Sequence, residues 1–156
     1  MTRKHKCVFF LILSVAVVCF IFSNSLQSRA ESKAKSELVA ALLNPILNPH
    51  GHLTADDFHT IIRKLAHFIE YGLLGICLVG VSINWYNKKM WIWITPAWTA
   101  FFVAVTDEII QHFTGRACMF IDVLIDLSGA VCSILFAAIT IRLWRVCKMK
   151  QGGNDK

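Results

Sequence analysis

The stretch VAVTDEIIQHFTGRACMFIDVLIDLSG, residues 103–129, sets Asp107, Glu108, Asp122, Asp126, Gln111, His112 and Arg116 between two strongly apolar runs. How that polar segment is read decides the fold. The 156-residue chain is 56% hydrophobic and only 17% charged, with a mean hydropathy of +0.56. Such scarcity of charge is unusual in a soluble domain of this length and points to membrane-spanning runs. Four candidate spans are present, at about 7–24, 61–83, 90–110 and 120–144. The expected fold is therefore an all-α membrane protein with four transmembrane helices, forming a single domain over residues 1–156. The third span runs on as helix through "TDEIIQHF", so the opening stretch is the end of one helix, a turn and the start of the next.

The first span, "CVFFLILSVAVVCFIF", follows the basic Arg3, Lys4, His5 and Lys6, as the core of a signal peptide would. Ser28 and Ala30 offer a small-residue cleavage site, but sixteen apolar residues are long for a cleaved core, so an uncleaved span is expected. Basic residues set the orientation. With the N-terminus inside, the cytoplasmic segments hold Arg3, Lys4, Lys6, Lys88, Lys89, Arg142, Arg145, Lys148, Lys150 and Lys156, ten of the sixteen bases, beside one acid, Asp155. That bias satisfies the positive-inside rule and gives an N-in, C-in topology. The net charge of +6 is explained this way without invoking nucleic acid. Trp85, Tyr86, Trp91, Trp93 and Trp144 mark interfaces. The six cysteines form no CxxC pair and behave as small hydrophobes, so neither a disulfide framework nor a zinc site is indicated.

Between the first two spans, "ESKAKSELVAALLN" reads as a short amphipathic helix on the membrane surface, broken by the Asn-Pro steps at 44–45 and 48–49. In "TADDF", Thr54 is an N-cap with Asp57 three residues on, so the second transmembrane helix is expected to start near Ala55.

In this topology every polar motif falls at the outer membrane face. Arg63, His67 and Glu70 form one helical stripe; Asp107 with Gln111, Glu108 with His112, and Asp122 with Asp126 are each four apart. Lipid-facing charge is costly, so stripes at one depth on adjoining helices should point at each other and form a pocket open to the outside. Its expected ligand-binding residues are Arg63, His67, Glu70, Asp107, Glu108, Gln111, Arg116, Asp122 and Asp126. The bland alternative is that the charges lock the bundle by pairing, which suits Lys64; Asp56, Asp57, His50 and His52 read as cap or loop residues. Arg63 and Arg116 can fork an anionic group. Glu70, Glu108 and His67 are the candidates for acid–base catalysis, which needs groups with tuned proton affinity. His67–Glu70 and Glu108–His112 have spacings that place two ligands on one helix face, but neither is HExxH and no metal or other cofactor is assigned. No Gly-x-Ser-x-Gly or other nucleophile signature occurs. Gly72, Gly75, Gly80 and Ser128-Gly129-Ala130 read as packing positions.

The order "RKLAHFIEYGLLG", "TDEIIQHFTGR", "DVLIDLSGA", together with "FSNS" after the first span, resembles the VanZ-like family of bacterial membrane proteins over about residues 8–145. The matching motif positions are Arg63, His67, Glu70, Tyr71, Asp107, Glu108, Gln111, Arg116, Asp122 and Gly129. Thr114 stands where that family commonly has proline, and Asp126 where it usually has asparagine, which implies a different ligand or protonation state. The resemblance implies a bacterial plasma-membrane protein, with a founding member associated with glycopeptide resistance and teicoplanin tolerance. Three functions stay open: engagement of a lipid-linked or peptidoglycan precursor headgroup, an enzyme modifying envelope lipids or peptides, and a structural membrane subunit.

Overall fold

The computed structural model describes residues 2–48, 53–115 and 120–152, all helices and their connections. Five helices follow in order: α1 (Arg3–Ser25), α2 (Arg29–Leu47), α3 (Ala55–Trp85), α4 (Lys89–Phe113) and α5 (Phe120–Gly152). The cap expected of Thr54 is in place, and the structure adds a second at Ser28. Thr54 Oγ1 accepts from the Asp57 amide at 3.2 Å and starts α3 at Ala55. Ser28 and Glu31 close a reciprocal capping box at the head of α2.

Among the described residues three helices are long and apolar enough to cross a membrane: α1, α3 and Phe120–Met149 of α5. The chain is thus a helical membrane protein. The expected third span, α4, lies outside that class. Its tryptophans, Pro96 and the Asp107–Glu108 pair in its last turns dilute an otherwise apolar helix. It nevertheless packs against α1, α3 and α5.

α3 is the hub, packed against each of the other four helices. The core joins Val17 and Ile21 of α1, Tyr71, Leu74 and Cys77 of α3, Ala100 and Ala104 of α4, and Val123 and Ala130 of α5. Small residues let α3 and α5 meet closely: a Cβ on Gly75 would stand 2.8 Å from the Ala130 carbonyl oxygen. At one end of the bundle Arg3 donates to Asn87 Oδ1 and to the Tyr86 carbonyl, both at 2.8 Å, so the N-terminus sits beside the α3–α4 turn. Tyr86 stacks on Trp91 there, with ring centroids 6.5 Å apart.

The expectation that the Asn44-Pro45 step breaks the second helix is corrected. α2 continues through Pro45 to Leu47, and Asn48 caps it. Pro45 forgoes one helical hydrogen bond, and the helix runs only two residues beyond it. Ala40 and Leu43 of α2 pack on Phe58 and Ile62 of α3, while Leu38, Leu42 and Ile46 are exposed. The amphipathic helix therefore docks one edge on α3 and leaves an apolar face outward.

Candidate functional site

The site lies at the end of the bundle opposite Arg3, where α1 and α4 finish and α3 begins. Glu108 and Asp107 on α4 are buried at 4% and 0% exposure, and Asp126 on α5 at 2%. Asp107 and Asp126 come together with His67 of α3, and Gln111, four residues after Asp107, is buried with it. His67 of α3 reaches across, its Nδ1 3.5 Å from Asp126 Oδ1. Tyr71, one turn further along α3, is fully buried against the same group of carboxylates. Its hydroxyl has no hydrogen-bond partner among the described residues.

Gln111 ties α4 to its neighbours. Its side-chain amide donates to Asp107 Oδ2 at 2.8 Å and to Ser25 Oγ, at the end of α1, at 3.4 Å. Thr114 donates to the Ser25 carbonyl at 3.2 Å. Next to Ser25, Asn24 donates to Glu70 Oε1 at 3.1 Å and accepts from Gln27 at 3.3 Å. Glu70 is thus turned towards α1, whereas His67 is turned towards α5.

Two spaces flank the histidine. A cleft of about 190 Å³ is bounded by Asn24 of α1, Gln27 of the α1–α2 turn, Lys35 and Ser36 of α2, and Arg63, His67 and Glu70 of α3. A small void of about 10 Å³ lies on the other side, lined by Arg63, Lys64, His67, Gln111, Asp122 and Asp126. Arg63 and His67 line both, so they are the wall between them.

The positions expected from sequence therefore divide. His67, Asp107, Gln111 and Asp126 converge, with Glu108 buried beside Asp107. Glu70 and Arg63 face the cleft, and Asp122 lies at the void. Lys64, expected to be structural, lines that void too. His112 is exposed, so the Glu108–His112 spacing does not give a shared ligand face. Arg116, His50 and His52 lie outside the described residues. Sequence reasoning from charge missed Asn24, Ser25, Lys35 and Ser36. Lys35 and Ser36 were readable as the polar face of α2, but nothing in that helix tells which neighbour it covers. The hydrogen bond of 2.6 Å between Ser36 and His59 holds α2 over the start of α3.

The fold and this buried polar cluster define a multi-pass helical membrane protein with ionisable groups gathered from several helices. The VanZ/LLP1 family model matches residues 10–142, and the chain belongs to that family. Neither a curated protein nor a solved structure gives a significant match.

Proposed function

We propose that this VanZ-family protein resides in the bacterial plasma membrane with four spans, N-in and C-in, and that its outward cleft engages the anionic headgroup of an envelope lipid or lipid-linked peptidoglycan precursor. The observation that carries the reading is the double placement of Arg63 and His67, on the open cleft and on the void beside Asp126. An arginine at the cleft floor with Lys35 on the opposite helix suits a phosphate or carboxylate, which arginine binds as a planar fork. Arg116 belongs to this reading by its place in the chain. Asn24 and Glu70 supply hydrogen-bonding groups for the neutral part of a headgroup. A role in teicoplanin tolerance follows if that headgroup belongs to a precursor the antibiotic also recognises.

Lipid mass spectrometry on protein purified in mild detergent tests this. Wild type should carry an anionic lipid species that Arg63→Ala loses. Teicoplanin susceptibility should rise in cells making Arg63→Ala or Asp122→Ala at normal abundance. Unchanged lipid content and unchanged susceptibility in both variants would sink the headgroup reading.

The His67–Asp126 pair favours a second reading, an enzyme that modifies the bound headgroup by acid–base chemistry with Glu70, Glu108 or His67 moving the proton. An imidazole beside a carboxylate is suited to that task. Glu108→Gln should then keep the lipid but accumulate it unprocessed, whereas a purely binding site shows no change in the lipid's mass.

A further inference from the structure

We propose that His67, Asp107 and Asp126 form a site for one divalent first-row transition cation, represented by Zn²⁺. The three side chains come from α3, α4 and α5, and one ligand atom from each lies within 4.8 Å of the other two. This convergence is tertiary; the spacings within single helices do not reveal it, because Glu70 turns to Asn24 and His112 is exposed.

The His67–Asp126 distance suits two donors on one ion. His67 Nδ1 and Asp126 Oδ1 are 3.5 Å apart, beyond the roughly 2.7–3.2 Å of an N–H···O hydrogen bond. Two donors on a tetrahedral ion, each bound at about 2.1 Å, stand about 3.4 Å from each other. Gln111 fixes the plane of the Asp107 carboxylate by donating to Oδ2 at 2.8 Å, as hydrogen bonds to ligating carboxylates do in metal centres. A donor set of one imidazole and two carboxylates fits Zn²⁺, Mn²⁺ or Fe²⁺, whereas Ca²⁺ and Mg²⁺ favour all-oxygen shells.

An independent observation points the same way. The Tyr71 hydroxyl is wholly buried, lies in the field of Asp107, Asp126, Glu70 and Glu108, and has no hydrogen-bond partner among the described residues. Buried hydroxyls seldom stay unpaired. A water completing the coordination of a cation gives Tyr71 a partner. The site shares His67 with the headgroup cleft, but a cation can occupy it without any lipid.

The test uses the full chain, purified in detergent with an affinity tag free of histidine, stripped with chelator and titrated calorimetrically with ZnCl₂ alone, then with MgCl₂. One Zn²⁺ per chain is expected, with Mg²⁺ bound far more weakly. Asp126→Asn and His67→Gln should each weaken Zn²⁺ binding by at least roughly tenfold, while a His5→Ala, His59→Ala double variant binds as wild type. Absence of stoichiometric uptake by folded wild type, or equal uptake by Asp126→Asn and His67→Gln, overturns the site. If those variants fail to fold, X-ray absorption on Zn²⁺-loaded wild type decides. One imidazole with oxygen donors supports the site; several imidazoles or sulfur donors overturn it.

Discussion

Gly129 of α5 lies against the main chain of Phe68 on α3, so that a Cβ at position 129 would meet the Phe68 carbonyl oxygen, with the carbonyl carbon at 3.0 Å and Cα at 3.1 Å. The neighbours of these two residues are the site itself: His67 precedes Phe68, and Asp126 is three residues before Gly129. Closeness of the two helices is therefore what brings the imidazole to the carboxylate. Backbone has little freedom to retreat, so Gly129→Ala should cost about 1–3 kcal/mol of stability through overpacking. Gly72 is the matched comparison, because its added Cβ meets only the Gly129 carbonyl oxygen at 3.6 Å, an ordinary contact. There the better helix propensity of alanine should leave stability unchanged or raise it by up to about 1 kcal/mol. Unfolding midpoints of both variants in one detergent check the contrast, and equal shifts would contradict it.

Gln111 is the second point where packing and site coincide. Leucine has a similar volume but removes both the Asp107 and the Ser25 hydrogen bonds. Each hydrogen bond contributes about 0.5–1.5 kcal/mol, so Gln111→Leu should lose about 1–3 kcal/mol. Gln111→Glu should be worse, since it sets a second carboxylate beside buried Asp107. Denaturation in detergent at neutral pH gives the order wild type, then Leu, then Glu; a Glu variant as stable as wild type would refute the assigned role.

α2 owes its start to a pH-dependent cap. The Glu31 carboxylate accepts from the Ser28 hydroxyl and amide, at 2.9 and 3.0 Å, and these bonds hold its pKa below the ordinary 4.5. A depressed folded-state pKa means the cap's contribution is complete above that ordinary value and is lost as pH falls through the folded one. Hydrogen exchange of the first turn of α2 should accordingly be unchanged between neutral pH and 5.5 after correction for intrinsic rates, and should accelerate in stronger acid. Glu31→Gln should flatten that response while keeping α2 helical. Ser28→Ala should accelerate exchange at all pH values, at a local cost of about 1 kcal/mol.

Charge and capping were legible because they are local signals. Thr54 with Asp57 announced α3 to the residue, whereas the four-residue stripes divide: Asp107 and Gln111 are buried together, but His112 is exposed where Glu108 is buried. Convergence of His67, Asp107 and Asp126 was legible only as an expectation that polar stripes meet, since which members touch depends on helix rotation. Ser25 and Asn24 gave no signal by charge, being small neutral residues at the end of an apolar run. Their roles arise when α1 ends beside Gln111 and Glu70. Pro45 misled because a helix-breaking residue is judged by its position in the helix, and the end of α2 is set by Asn48 and tertiary contact with α3.

Orientation supplies the last prediction. Arg3 binds the α3–α4 turn, so the N-terminus and residues 86–88 share one end of the bundle, while Ser25, Gln111 and Thr114 share the other. The first end carries Lys4, Lys6, Lys88 and Lys89, and the second receives the acids of α3, α4 and α5. Basic ends stay in the cytoplasm. Alkaline phosphatase fused after Asn48 should therefore be active, and fused after Asn87 inactive, with a green fluorescent protein fusion giving the reverse pattern. A fusion after Gly115 tests α4 itself: activity there requires that this helix cross the membrane despite its tryptophans, Pro96 and polar last turns. Since α4 lies between α3 and α5 in the chain and packs on both as well as on α1, a full crossing is the arrangement that keeps Asp107 and Gln111 level with His67. An inactive fusion after Gly115 beside an active one after Asn48 would instead leave α4 re-entrant and would move the polar cluster off the outer face.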